Sequence, residues 1–465
     1  MVVIGSILLS SCDSYLDIQP VGQVIPTTLT EYRALLTTAY GLKLIDKSVT
    51  EFRTDIAMVT DNSNSQNFYS EIEKWNDMSP KDGTREFGWA VYYSVIYYAN
   101  AIIANKDNIK EGSQEDIDQL VGEAYLLRGY MHFILANLYG QPYTKEGAPE
   151  TKSIPIKWDL DLEVVLPRNT VKEVYTAILS DIESARGLMH QKEWEAVYAY
   201  RFSTLSVDAM ESRVRLYMGN WKEAYDAAER ILVQKSTLED LNDPEAKLPN
   251  NYTSAEMITA YEFFNDDVTS ASILIPAFME KYDANKDLRR NKYYSLSGDK
   301  YISKKSGKAE HNCTFRTGEI YLNAAEAAAQ MNKLPEARTR LLQLMEKRYT
   351  PEGYAEKKKA VDAMNQADLI KEILEERALE LAFEGHRFND LRRWLLLDKA
   401  PYNIKTSQEF VRAGEFDPKN PQNTEVSGFK EKTILTRHFT SKHWWMPLKK
   451  KDTSIYPEMF QNPGW

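Results

Sequence analysis

Apolar positions at helical spacing run through much of this chain, and they are clearest between Asp368 and Leu397. Ile370, Ile373, Leu374 and Leu381 fall on one side of a helix there. Asp368 is placed to cap its start, and Glu372 sits in the first turn. The pattern breaks at Gly385-His386, where glycine permits the left-handed turn that ends a helix, and Asn389 or Asp390 is placed to cap the next one. Two helices folded back on each other are expected, with Phe388, Leu391 and Trp394 in the angle. Arg377 and Glu384 lie at the edge of the apolar stripe and need partners. Glu380 and Arg387 are the nearest at helical spacing. An ion-paired scaffold explains this stretch without chemistry.

The same period recurs upstream. A first helix holds Tyr32, Leu35, Leu36 and Tyr40, with Thr30 as its expected cap. Glu86 to Asn105 is apolar nearly all round, so its Trp89, Tyr92, Tyr93 and Tyr97 are assigned mostly to the core. Helical pairs come next near 116–190, 203–232, 318–348 and 368–397. Gly219 followed by Trp221 and Ala224, and Asn332-Lys333-Leu334 followed by Pro335, give helix-turn-helix spacing like that of tetratricopeptide repeats. The fold expected is mainly α, a tetratricopeptide-like scaffold with long loop-rich insertions and little β structure, in one domain over 12–465.

Two insertions, near 54–85 and 235–314, break the helical period. The first reads as a polar loop from Thr54 to Asn76, with turn formers from Asp61 to Ser65 ahead of Phe68, Tyr69 and Trp75. The second interleaves tyrosines with Asn, Asp, Lys and Arg. Aromatic faces stack on apolar ligand surfaces, and polar neighbours reach hydroxyls. The candidate ligand-binding residues are therefore Tyr69, Trp75, Tyr293, Tyr294 and Tyr301 for stacking, and Asn67, Arg85 and Asp266 for polar contacts.

Charge narrows the partners. A net charge of −10 argues against nucleic acid, which needs a basic surface. No nucleophile elbow, phosphate loop or metal-ligand spacing is present, so neither catalysis nor a cofactor or metal is expected. Two carboxylates brought together by the fold would suffice for a glycoside hydrolase, which stays as a rival reading. Of the two cysteines, Cys12 follows an apolar run, and no internal disulfide is expected. Residues 1–11 read as a signal peptide, and Leu9-Ser10-Ser11-Cys12 resembles a lipobox that would leave Cys12 lipidated. No Lys or Arg precedes that run.

The segment ERALELAFEGHRFNDLRRW, the lipobox, the aromatic stretch Trp444-Trp445-Met446-Pro447 and the terminal Gln461-Asn462-Pro463-Gly464-Trp465 together resemble the SusD/RagB family. The resemblance covers nearly the full chain. It implies a surface-exposed lipoprotein of the outer membrane that captures oligosaccharides, or peptides in the RagB-like branch, and delivers them to a SusC-like TonB-dependent transporter. It implies no catalysis. The identity of the ligand is not written in the sequence.

Overall fold

The computed structural model describes residues 26–395 apart from 79 and 263, the strands 407–411 and 432–436, and residues 444–465 apart from 457, 458 and 463. Cys12 and the lipobox lie outside the described residues.

Helix α1 (Leu29–Tyr40) starts at Thr28, whose hydroxyl and Glu31 form a reciprocal capping box. Thr28, not Thr30, is the cap, because its extended backbone lets the side chain turn back onto Glu31. A short α2 (Asp46–Val49), strand β1 (Ala57–Val59) and α3 (Ser63–Glu73) follow. The segment read as a polar loop is thus a strand and a helix. Asn62 caps α3 by accepting from Asn64 N and Ser65 N, so the run of turn formers starts a helix. Next come α4 (Ala90–Ala104), α5 (Gln114–Tyr139), α6 (Val171–Leu188), α7 (Thr204–Met218) and α8 (Trp221–Leu232). Thr170–Glu173 and Ser203–Ser206 box the starts of α6 and α7, and Gly219 at φ 74° ends α7.

The second insertion carries β2 (Met257–Thr259), α9 (Asp266–Ser270), β3 (Ser272–Leu274), α10 (Pro276–Met279), α11 (Arg289–Tyr293), β4 (Tyr294–Ser297), β5 (Lys300–Ser303) and β6 (Phe315–Arg316). The scaffold resumes with α12 (Thr317–Gln330), α13 (Leu334–Glu346), α14 (Pro351–Ala363), α15 (Gln366–Leu381) and α16 (Arg387–Leu395). Strands β7 (Ser407–Val411) and β8 (Lys432–Thr436) pair antiparallel, and α17 (Lys450–Ile455) precedes the terminal turn.

Each helix packs on the next in the order α4, α5, α6, α7, α8, α12, α13 and α14, while α15 closes on α12. The antiparallel pairs α5/α6, α7/α8 and α12/α13 are the tetratricopeptide-like units, and each buries its apolar face on a neighbour. Because α8 meets α12 directly, the whole second insertion loops out between adjacent helices. Among the described residues no helix is long and apolar enough to cross a membrane.

The insertions do not hang free. Strand β1 pairs with β3, Ala57 opposite Leu274, and their side chains join α15 in a second core of Phe52, Met58, Tyr69, Phe278, Tyr282, Tyr293, Tyr294, Leu379 and Phe383. Lys300 Nζ reaches Asp61 at 3.1 Å, tying β5 to the start of α3.

Helix α15 is capped by Asn365, whose Oδ1 accepts from Asp368 N at 3.0 Å. Asp368 lies inside the first turn and accepts from Asn365 Nδ2 instead. Phe388, Leu391 and Trp394 are buried as expected. The ion pairs differ from helical spacing. Arg377 meets Asp390 and Asn323, Glu384 meets Lys305 and Arg316, and Arg387 grips Asp55 with two bonds of 2.7 Å. Glu380 sits among Arg316, Arg348 and Arg289 at 2.8, 2.9 and 3.3 Å. These partners arrive from other elements because the side chains point into the core, where only tertiary neighbours can reach. The three guanidiniums hold the Glu380 carboxyl well below its usual range despite full burial.

Candidate functional site

A polar opening lies where the first insertion meets the C-terminal segment. It is a groove of about 460 Å³. One wall is the end of α3 and the turn after it, with Ile72, Asn76, Asp77, Met78, Thr84, Arg85, Glu86 and Phe87. The other is Met446, Pro447, Leu448 and Lys449.

The first wall turns on Trp75. Helix α3 ends when Trp75 takes the left-handed conformation at φ 62°, a place where glycine is usual. That conformation costs about 1–2 kcal/mol in a non-glycine residue. Packing offsets it: the indole is 2% exposed and meets Trp444 edge-on at 4.8 Å. Phe388 lies at 6.2 Å on another side. The chain then leaves α3 with Asn76 N bound to Glu71 O and Asn76 Nδ2 to Glu71 Oε2.

Arg53 ties the walls together. It is fully buried, lies over the rings of Trp75 and Phe87 at 5.3 and 5.0 Å, pairs with Asp77, and donates to Met446 Sδ at 3.1 Å. The second wall is held by the terminal residues. Gln461 brackets Leu448, accepting from its N–H at 2.7 Å and donating to its carbonyl at 2.9 Å. Asn462 donates to the carbonyls of Tyr139 and Met446, and Arg168 reaches Asn462 from the α6 side. Trp465 Nε1 closes on Trp445 O at 3.1 Å. The terminal Gln-Asn pair therefore serves to fix a groove wall.

The groove is mixed in character. Phe87, Met446 and Leu448 give an apolar floor, while Asn76, Thr84, Arg85, Glu86 and Lys449 ring it with donors and acceptors. Lys449 pairs with Glu86 at 2.9 Å, both partly open to solvent. Arg85 lies beside the Tyr69 hydroxyl and within electrostatic reach of Asp46. Burial lifts the Asp46 carboxyl to about 6, against the pull of the Gly88 N–H and Arg85. Burial also lifts Glu73, at the end of α3, to about 8, although its Oε1 accepts from Val59 N at 2.8 Å.

The residues singled out from the sequence divide. Arg85 lines the groove. Tyr69 sits behind it, buried against Phe52 at 5.1 Å. Asn67 is exposed on α3 and abuts Gly83 in the same turn. Trp75 lies beneath the groove as a structural ring. Tyr293 and Tyr294 are buried: the Tyr293 hydroxyl faces Glu380 at 3.4 Å, and Tyr294 and Tyr282 share a hydrogen bond of 2.9 Å. With both ring faces covered by the second core, neither is available to stack on a ligand. Tyr301 is half-buried beside Arg290, and Asp266 is exposed in the first turn of α9, away from the groove walls. Sequence reasoning missed Asp77, Thr84, Glu86, Phe87 and the wall from Met446 to Lys449. The turn-rich run after Trp75 and the three lysines from Lys449 were the available signals. Among the described residues no group of three or more His, Cys, Asp or Glu is placed to hold a metal ion.

Comparison with known proteins covers both halves of the chain. Residues 277–465 match the model of the SusD family, and residues 14–216 match the model described as starch-binding associating with outer membrane. A SusD-like protein of Formosa agariphila is 24% identical across 84% of this chain and 90% of its own length. A putative sugar binding protein from Bacteroides vulgatus superposes with a TM-score of 0.75 at 21% identity, covering 95% of this chain and 100% of that one. A SusD superfamily protein from Bacteroides thetaiotaomicron gives a TM-score of 0.72 at 20% identity over 94% and 100% of the two chains.

Proposed function

The chain belongs to the SusD-like family, and on that premise we propose that it captures oligosaccharides at the outer-membrane surface and passes them to a SusC-like TonB-dependent transporter. The observation that carries the binding half of this reading is the groove itself. An apolar floor of Phe87, Met446 and Leu448 inside a ring of hydrogen-bonding groups suits a sugar, which offers C–H faces and hydroxyl edges together. Both walls are held by internal bonds, so little ordering is needed on binding. The anchor in this proposal is a lipid on Cys12, and the delivery step needs the transporter.

Turnover is not part of the reading. The groove carboxylates Asp77 and Glu86 are each held by a cation, Arg53 and Lys449. A glycosidase needs two carboxylates free to face the scissile bond, and both of these are engaged in ion pairs.

The test is affinity electrophoresis and calorimetry of the soluble protein, beginning after Cys12, against a panel of glycans, with Phe87→Ala beside the wild type. Saturable binding without cleavage, weakened at least tenfold in Phe87→Ala, is the expected result. Chain cleavage, or absence of binding to every glycan while peptides bind, overturns it.

A further inference from the structure

We infer that the groove selects an acidic glycan, whose carboxylate or sulfate group docks on Arg85. This rests on the glycan-capture reading and deepens it. Among the described residues most buried cations are matched by carboxylates: Arg289, Arg316, Arg348 and Arg393 are examples. Arg85, half-buried, forms no ion pair among the described residues, although it lines the groove. Its guanidinium hydrogen-bonds the Tyr69 hydroxyl, but its Nε is buried and has no hydrogen-bond partner, and neither has the buried hydroxyl of its neighbour Thr84. An unmade hydrogen bond at a buried polar atom is costly, and more so for a charged group. Two such atoms on adjacent groove residues therefore mark a place prepared for an acceptor.

The surroundings give the sign of that acceptor. Asp77 is taken up by Arg53, and Asp46 lies within electrostatic reach of Arg85 without forming an ion pair with it. Lys449 is held by Glu86 in a solvent-accessible pair, which is weak and readily exchanged. An incoming anion meets Arg85 directly and a second cation that can turn toward it. The planar guanidinium suits the two-oxygen edge of a carboxylate or a sulfate. A neutral hexose would leave Arg85 without a direct ion pair.

The experiment is calorimetry on the soluble protein with paired probes: oligogalacturonate against its methyl ester, and sulfated galactan oligosaccharides against their desulfated form. At least one acidic member is expected to bind roughly tenfold or more tightly than its neutral counterpart. That preference should shrink as salt rises and vanish in Arg85→Gln, while Arg85→Lys keeps part of it. Thermal melts of the variants check that the groove remains folded. The pair that responds distinguishes uronate from sulfate. Equal binding of charged and neutral members, or a preference that survives in Arg85→Gln, overturns the inference while glycan capture stands. Binding of acidic peptides with no glycan binding overturns both.

Discussion

Two regions of this molecule concentrate charge, and they do so in opposite ways. Around α15, Glu380, Glu256 and Glu384 are buried with Arg316, Arg348 and Lys305, and the carboxylates and cations find one another. In the groove, Arg85 and Thr84 keep donors without partners. A satisfied buried network specifies one packing and leaves nothing for a ligand. An unsatisfied donor in an opening costs stability and is kept where something else completes it. Charge density alone therefore does not mark a site in this fold.

The sharpest way to break the comparison is to unbalance the satisfied network. Glu380→Gln leaves three guanidiniums short of a carboxylate, and a loss of about 3–5 kcal/mol is expected in denaturant unfolding. The depressed Glu380 carboxyl contributes stability above its unfolded range near 4.5 and loses it as pH falls further, so acid should narrow the gap between variant and wild type. A loss as small as that of a surface carboxylate would remove the distinction drawn between the two regions. Next in size is Asn462→Ala, which strips donors from the carbonyls of Tyr139 and Met446. About 1–3 kcal/mol should be lost, and glycan affinity should fall with it because a groove wall loosens.

Glu73→Gln sharpens the contrast from the other side. Its carboxyl is raised to about 8, so the folded protein holds a proton that the unfolded chain releases above about 4.5. Stability from this group is fully present below the unfolded value and is lost as pH rises toward 8. Gln keeps the bond to Val59 N without the titration. The variant should match wild type near pH 5 and melt higher near pH 8; equal melting at both would show that Glu73 does not titrate in this range. The smallest effect is at the α15 cap. Asn365→Ala should cost about 1 kcal/mol and Asp368→Ala less, and the reverse order would restore Asp368 as the cap.

Helical periodicity makes the scaffold readable, because burying one face every 3.6 residues leaves a local trace. The pairs α5/α6, α7/α8 and α12/α13 are legible for that reason, as are the buried Phe388, Leu391 and Trp394. Partners that come from afar leave no such trace. Arg377 finds Asp390 and Asn323 where helical spacing offered Glu380, and Arg53 meets Met446 across 393 positions. Of the site, Arg85 is legible in the sequence and its groove neighbours are not. Trp75, Tyr293 and Tyr294 look exposed in a polar stretch. A left-handed helix end and a second core turn them inward, and neither feature has a local sequence signature.

Arg53 belongs to both walls at once, through Asp77 and Phe87 on one side and Met446 on the other. A part that bridges two walls synchronises them. With the Lys449–Glu86 pair as a second tie, the two walls are fastened to each other at more than one point. The groove's amides on both sides should exchange with solvent in one concerted opening, and a ligand that fits gains a seat whose shape it did not have to create.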